Sequence, residues 1–190
     1  MSPSALPPFE KFPGEGASVG RLLAGYSKLE IGLMNCVYMA LDDFDAVLKA
    51  MFKPRGESLR INEAEKLGRV AYKALDLEAD FLAAVEAMRH CLTIRNQYSH
   101  WIWWDDNSGM LAFANVEDIA KIENRVDNLG QLNPHHVTTA LLGEQEAWSV
   151  YVDEYLAWVN YEGRFQAGKL DDSSRIRKPH ELKRPALWVA

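Results

Sequence analysis

The stretch from Arg95 to His100 brings together three side chains that can act on a phosphodiester. On a helix of about 3.6 residues per turn, Asn96 and His100 are four residues apart and share one face, and Arg95 lies one step round. The planar fork of Arg95 can bind two phosphate oxygens, and the imidazole of His100 can move a proton near neutral pH. RNA carries its own nucleophile in the 2′-hydroxyl. These groups, with the Asn96 amide to orient them, can therefore suffice for RNA cleavage without a metal.

A motif with these residue types at this spacing is expected only rarely by chance in a chain of this composition. Eleven arginines and five histidines in 190 residues give an expectation of about 0.3 Arg-x4-His pairs. A second pair does occur, at Arg175 and His180. Requiring Asn after the arginine lowers the expectation to about 0.015. We therefore take Arg95, Asn96 and His100 as the candidate catalytic residues and treat the second pair as accidental.

The bulk composition indicates a globular chain whose charge limits its partners. Its 190 residues are 48% hydrophobic and suit one domain with a core. The net charge of −6 excludes a protein that coats phosphate backbones, because such proteins are basic overall. Cys36 and Cys91 lie in apolar helical patterns, which predicts buried, reduced thiols. The chain shows no signal peptide and no apolar run of the roughly 18–20 residues that span a bilayer, so we expect a cytoplasmic protein.

Apolar residues recur at three- and four-residue spacing over most of the chain, which predicts an all-α, up-and-down bundle of about five helices. We expect a flexible N-terminal arm over residues 1–17, where prolines and glycines are frequent, and one helical domain over residues 18–169. Asn62 is expected to cap the second helix and Pro134 to begin the last one. The expected helices are Val19 to Phe52, a second beginning near Asn62, Glu78 to His100, Val116 to Leu132, and Pro134 to Phe165.

The periodicity changes after His100, where two short aromatic and apolar runs flank a turn rich in Asp, Asn and Gly. This pattern predicts one small β-hairpin over about residues 101–114. Alternation places Trp101 and Trp103 on one face of the hairpin and Trp104 on the other. For most of these residues, core or dimer packing is favoured over stacking on nucleic-acid bases.

Residues 170–190 form a basic C-terminal tail. Five Arg or Lys residues lie between Arg175 and Arg184 against a single acid, Glu181. A solvated segment is the favoured interpretation. The alternative is an arm that docks Trp188 on a partner subunit, or its basic residues on an anion.

The motif of Arg95, Asn96 and His100, late in a predicted core helix, resembles the signature of the HEPN superfamily (higher eukaryotes and prokaryotes nucleotide-binding). The long first helix, with Tyr26-Ser27-Lys28-Leu29-Glu30, is also similar to helices of that family. The resemblance covers about residues 18–165 and implies a metal-independent endoribonuclease, often a toxin or defence effector. It further implies RNA as the substrate, a homodimer in which two motifs face one groove, and an antitoxin protein as another partner.

Other polar groups are weaker candidates. His135-His136 lacks the neighbouring ligands of a metal site and is expected at an exposed helix start. Glu30 is either a polar partner of the motif or a solvated residue. We expect no metal and no cofactor. The alternative function is a non-catalytic helical module that binds a nucleotide or a protein through the same groove, and a purely structural dimerisation domain is a third hypothesis.

Overall fold

The computed structural model of the protein describes residues 7–53, 55–115, 117, 121 and 134–189. These residues are mostly helical and include a small antiparallel sheet, which is consistent with the predicted helical bundle carrying a β insertion. The described helices are α1 (Pro8–Lys11), α2 (Pro13–Leu41), α3 (Phe44–Phe52), α4 (Glu57–Ala74), α5 (Glu78–His100) and α6 (Thr139–Gln166), with a 3-10 helix at Asp172–Ser174. The described strands are β1 (Trp101–Asp105), β2 (Leu111–Asn115) and β3 (His135–Val137). None of the described helices is long and apolar enough to cross a membrane.

The chain divides into two compact units, and each contains an apolar core. We call Met1–Ala24, Ile94–Ala147 and Arg184–Ala190 the motif unit, because it contains the candidate site. The helical unit comprises Gly25–Thr93 and Trp148–Lys183. Every residue of each core lies within its own unit.

Each of the helices α2 to α6 contributes apolar residues to the core of the helical unit. Tyr72 on α4 and Phe81 on α5 are fully buried and stack with their ring centroids 4.5 Å apart. Gly68 lies so near to Phe81 that a Cβ at this position would stand 2.6 Å from the ring. The absence of a side chain at Gly68 is therefore what allows α4 to approach α5 this closely.

The motif unit is built on the three-stranded sheet, which has the order β1-β2-β3 and antiparallel pairing throughout. Trp103 on β1 lies opposite Phe113 on β2, which lies opposite His135 on β3. The ring of Phe113 packs against Trp101 and Trp103, whose centroids are 5.1 and 4.9 Å away. The predicted hairpin is therefore confirmed. Trp101 and Trp103, for which core or dimer packing is the favoured interpretation, are half-buried and pack against the core of the motif unit.

The expected arm over residues 1–17 is wrong where the structure describes it, because α1 and the first turn of α2 lie there. A proline opens each of these helices, Pro8 in α1 and Pro13 in α2. Proline is tolerated in a first helical turn, where its missing N–H would have no partner anyway. Phe12 and Val19 are buried in the core of the motif unit, and this burial outweighs the low helix propensity of the nearby glycines.

The prediction of a single helix from Val19 to Phe52 is also wrong, because Asp42 and Asp43 interrupt the helix between α2 and α3. Asp42 adopts a left-handed conformation with a φ of 55°, which ends α2. The carboxylate of Asp43 then accepts a hydrogen bond from the backbone N–H of Ala46, 3.0 Å away, and caps α3. The two adjacent aspartates were the available signal for this break.

Helix α4 begins at Glu57, more than one turn before the expected cap at Asn62. Gly56 is the N-cap and has a φ of 98°, a conformation that favours glycine. Asn62 lies inside the helix, and its side-chain oxygen accepts a hydrogen bond from Arg89 on α5 at 3.1 Å. The residue that resembles a cap therefore joins two helices instead.

The expected helix start at Pro134 is wrong, because β3 follows it directly and α6 begins at Thr139. β3 pairs with β2 in antiparallel register, with Leu111 opposite Val137. Each edge of an isolated hairpin leaves backbone N–H and C=O groups unpaired. Pairing with β3 provides hydrogen-bond partners for these groups along β2.

The remaining expected helices have different outcomes. α5 spans Glu78–His100 as predicted, and α6 ends at Gln166, beside the predicted end at Phe165. The expected helix from Val116 to Leu132 lies outside the described residues, apart from Glu117 and Lys121.

Two cations of the basic tail form ion pairs within the helical unit. The guanidinium of Arg175 donates to the buried carboxylate of Glu162, with Nη2 3.0 Å from Oε1. Lys178 donates to Asp80 and lies over the ring of Trp158, 4.8 Å from its centroid. The expected solvated segment is therefore corrected at Arg175 and Lys178, which are anchored although about half of each side chain stays exposed (45% and 50%).

Candidate functional site

Arg95, Asn96 and His100 occupy the last turns of α5, where the chain passes directly into β1. The helix ends there because Trp101 opens a run of aromatic and β-branched residues that favours a strand. Arg95 and Asn96 are half-buried, and His100 is exposed. All three residues belong to the motif unit.

Arg95 and Asn96 are in direct contact. The Nη1 of Arg95 donates a hydrogen bond to the Oδ1 of Asn96 at 3.0 Å. A hydrogen bond with an ionised partner is stronger than one between neutral groups, so the amide restrains the guanidinium at the surface of α5. Ser99 Oγ donates to the backbone oxygen of Asn96 at 3.3 Å on the same side of the helix.

His100 is placed differently. No hydrogen bond joins it to Arg95 or Asn96, and it forms no hydrogen bond or ion pair with any residue that the structure describes. On an ideal helix, His100 lies about 40° from Asn96 and about 140° from Arg95. The structure therefore pairs Arg95 with Asn96 and leaves the imidazole of His100 exposed at the end of the same helix. Chemically, this arrangement combines a restrained cation with a proton carrier that solvent can reach.

The opposite side of these turns is buried. Ile94, Gln97 and Tyr98 are only 2%, 4% and 3% exposed. Ile94 and Tyr98 belong to the apolar core of the motif unit. This burial fixes the rotation of α5 about its axis, so that the candidate residues point away from the core.

Gln145 on α6 is a residue of this region that the sequence did not indicate. It is fully buried, and its Oε1 accepts a hydrogen bond from the phenol of Tyr98. Its Nε2 donates to the backbone oxygen of Ala186 at 2.7 Å. The partners of Gln145 lie 41 or more positions away in the chain, so no local pattern in the sequence could have revealed them.

His135 and His136 lie on β3 rather than at an exposed helix start. The ring of His135 stacks on Trp188 at a centroid distance of 3.9 Å and lies 5.5 Å from Trp101. His136 projects from the other face of the sheet, and its Nε2 lies 2.8 Å from Oδ2 of Asp106. Both histidines therefore have structural contacts within the motif unit.

Asp106 holds the turn of the hairpin. Its carboxylate accepts a hydrogen bond from the backbone N–H of Ser108 at 3.0 Å and contacts His136. Hydrogen bonds from Ser108 and the contact with His136 lower the pKa of Asp106 to about 2. The carboxylate is therefore ionised at neutral pH and links β3 to the turn.

Other groups singled out from the sequence are not part of the site. Glu30 forms an ion pair with Arg60 at 2.8 Å within the helical unit. Cys36 and Cys91 are buried free thiols, as predicted, and burial raises the pKa of each to about 12. Neither thiol is thus suited to act as a nucleophile. In the described part of the chain, no three His, Cys, Asp or Glu residues are grouped so that they could hold a metal ion.

Comparison with known proteins gave no match to the chain among protein-family models, curated proteins or solved structures. The features that bear on function are therefore the geometry around Arg95, Asn96 and His100 and the motif that these residues form.

Proposed function

We propose that this protein is a metal-independent endoribonuclease of the HEPN type, whose helices form an up-and-down bundle over residues 18–169. The observation that supports it best is the pairing of Arg95 with Asn96 on the outward side of α5, which ends at the exposed His100. A buried or ion-paired His100 would have pointed to a structural role. The exposed ring is instead accessible to a substrate as large as RNA.

In the proposed reaction, the 2′-hydroxyl of RNA attacks the adjacent phosphorus. His100 takes the proton of the 2′-hydroxyl, and the fork of Arg95 binds the phosphate oxygens, which carry extra negative charge in the transition state. Asn96 is the positioning residue that orients the fork. The bond from phosphorus to the 5′-oxygen breaks as the new bond forms, which yields a 2′,3′-cyclic phosphate and a 5′-hydroxyl. These side chains supply the proton transfer and the positive charge that the step requires.

The leaving 5′-oxygen needs a proton of its own. A second copy of the chain would supply it from its His100 if two motifs faced one groove, and the HEPN resemblance implies such a homodimer. A toxin or defence effector controlled by an antitoxin protein is the biological role that the same resemblance implies.

The proposal is tested by incubating several classes of RNA with the purified protein in excess chelator. We expect cleavage by the wild type and its loss in His100→Ala. His180→Ala is the matched control, because His180 is also exposed and also follows an arginine by five positions, yet it lies outside the motif. If wild type and His100→Ala leave all RNA classes equally intact, the nuclease proposal fails, and a module that binds a nucleotide or a protein replaces it.

A further inference from the structure

Two buried side-chain amides in the motif unit donate their hydrogen bonds to the end of the chain. Gln97 is 4% exposed and Gln145 is 0% exposed. The Nε2 of Gln97 donates to the backbone oxygen of Leu187 at 3.0 Å, and the Nε2 of Gln145 donates to that of Ala186 at 2.7 Å. We call Ala186–Val189 the C-terminal strap. Its own residues are exposed or half-buried, so the strap covers the two amides from outside.

The strap is also attached to the edge of the sheet. The backbone N–H of Val189 donates to the backbone oxygen of His136 on β3 at 2.9 Å, and the two residues form an antiparallel bridge. The ring of Trp188 stacks on His135. The strap is therefore held by backbone, side-chain amide and aromatic contacts.

Gln145 connects the strap to the helix that carries the motif. Because the strap presents carbonyl oxygens, the amide must turn its Nε2 toward them and its Oε1 toward Tyr98. Burial raises the pKa of Tyr98, so its phenol stays protonated and donates to that Oε1. Gln97 and Tyr98 lie between Asn96 and His100 in the chain, on the inward side of α5.

We propose that Gln145 is a positioning residue and that the C-terminal strap, held by it, fixes the last turns of α5 on which Asn96 and His100 lie. Removing the strap from this place would leave the buried amide donors without acceptors, and the helix end would open more often. The strap contacts the side of α5 that faces away from the candidate residues, so it supports the site rather than covering it. Only the catalytic consequence rests on the proposed function, since the mechanical link is independent of it.

The link is tested by hydrogen exchange on full-length Gln145→Met, which keeps the side-chain length and removes the hydrogen bonds to Tyr98, Ala186 and Leu187. Amides of residues 94–100 and 187–189 should exchange about tenfold faster or more, whereas those of Phe81–Met88, on the same helix but in the helical unit, should keep their rates. Gln166→Met is the matched control on α6, because the amide of Gln166 bonds to Glu162 instead.

A second full-length variant, Trp188→Ala, removes the stack on His135 without changing any buried amide, and it should accelerate exchange over residues 94–100 as well. If these amides keep their wild-type rates in both variants, or if exchange accelerates equally in all segments, the strap does not position the end of α5.

In RNA cleavage, both variants should lower kcat with little change in KM, and unchanged kcat would refute the positioning role. If the wild-type protein cleaves no RNA, the proposed function is refuted. The exchange rates alone then test whether the strap fixes the end of α5.

Discussion

At the residue scale, the guanidinium of Arg95 and the amide of Asn96 form one hydrogen-bonded pair. Neighbouring side chains on a helix do not usually face each other, yet a 3.0 Å hydrogen bond joins these two. The bond holds a long, flexible side chain that would otherwise lose rotamer entropy when it bound an anion. His100 has no such restraint among the described residues, which suits a group that must exchange protons with substrate and solvent.

Replacing Arg95 with Lys tests the role of the fork. The charge remains, but a single ammonium cannot make two parallel bonds to a phosphate. We expect kcat/KM for RNA to fall by about 10- to 100-fold, as for the loss of a charge-assisted hydrogen bond, with an unchanged thermal unfolding midpoint. Arg177→Lys, at an exposed position of the tail, is the control and should leave cleavage unchanged. Full activity of Arg95→Lys would refute the role assigned to the guanidinium.

Asp106 gives the motif unit a pH-dependent contribution to stability. Its pKa is about 2 in the folded protein and 3.8 in the reference state, so the ionised carboxylate stabilises the fold above about pH 4. This contribution is lost as the pH falls from about 4 through 2. Asp106→Asn should therefore be less stable than the wild type at pH 6, and the difference should shrink at pH 3. Denaturant unfolding at both values measures this, and an equal difference at pH 6 and pH 3 would contradict the assignment.

The elements that could be predicted from the sequence are those specified by local patterns. The bounds of α5 and the hairpin follow from a change in apolar period at His100, which is visible within a few residues. β3 could not be predicted, because its pairing with β2 depends on residues more than 20 positions away. Gln145 was missed for the same reason. The break at Asp42 and Asp43 was predictable in principle, but the apolar stripe continues across it and concealed it.

Two helical glycines should respond in opposite ways to replacement by alanine, because only Gly68 lies in the close contact between α4 and α5. Gly68→Ala would place a methyl group 2.6 Å from the ring of Phe81, and we expect it to lower the free energy of unfolding by about 1–3 kcal/mol. Gly143→Ala on α6 meets no described atom within 4 Å, and it should raise the free energy of unfolding by about 0.5–1 kcal/mol. Denaturant titration of both variants provides the comparison. Equal effects of the two substitutions would show that the contact with Phe81 does not limit the helix spacing.

At the scale of the whole molecule, the candidate site lies entirely in one of the two units. The motif unit contains Arg95, Asn96 and His100 on α5, and the inward side of this part of α5 packs with the sheet, the first turns of α6 and the C-terminal strap. The helical unit has its own core, which contains the stacked pair of Tyr72 and Phe81. Changes in the helical unit should therefore act on overall stability, whereas changes in the motif unit should also act on the site.

The proposed proton transfers and the HEPN resemblance together favour two copies in the active assembly. The attacking 2′-oxygen and the leaving 5′-oxygen lie on opposite sides of the phosphorus, so the one histidine of a single motif cannot contact both at once. We therefore expect a homodimer, with a mass by light scattering at micromolar concentration of twice the 21.5 kDa of one chain. Mixing His100→Ala with wild-type chains should lower the activity per wild-type chain. A monomer mass at these concentrations would contradict a shared groove.

The most direct test of the central claim is the chemistry of the cut ends on a defined RNA oligonucleotide in excess chelator. We predict a 2′,3′-cyclic phosphate on one product and a 5′-hydroxyl on the other, both assigned by mass spectrometry. A single 2′-deoxy substitution at the cut position should block cleavage, and His100→Ala should slow it by about 10²–10⁴-fold. Cleavage that persists at the deoxy position, or that proceeds equally in wild type and His100→Ala, would contradict the account.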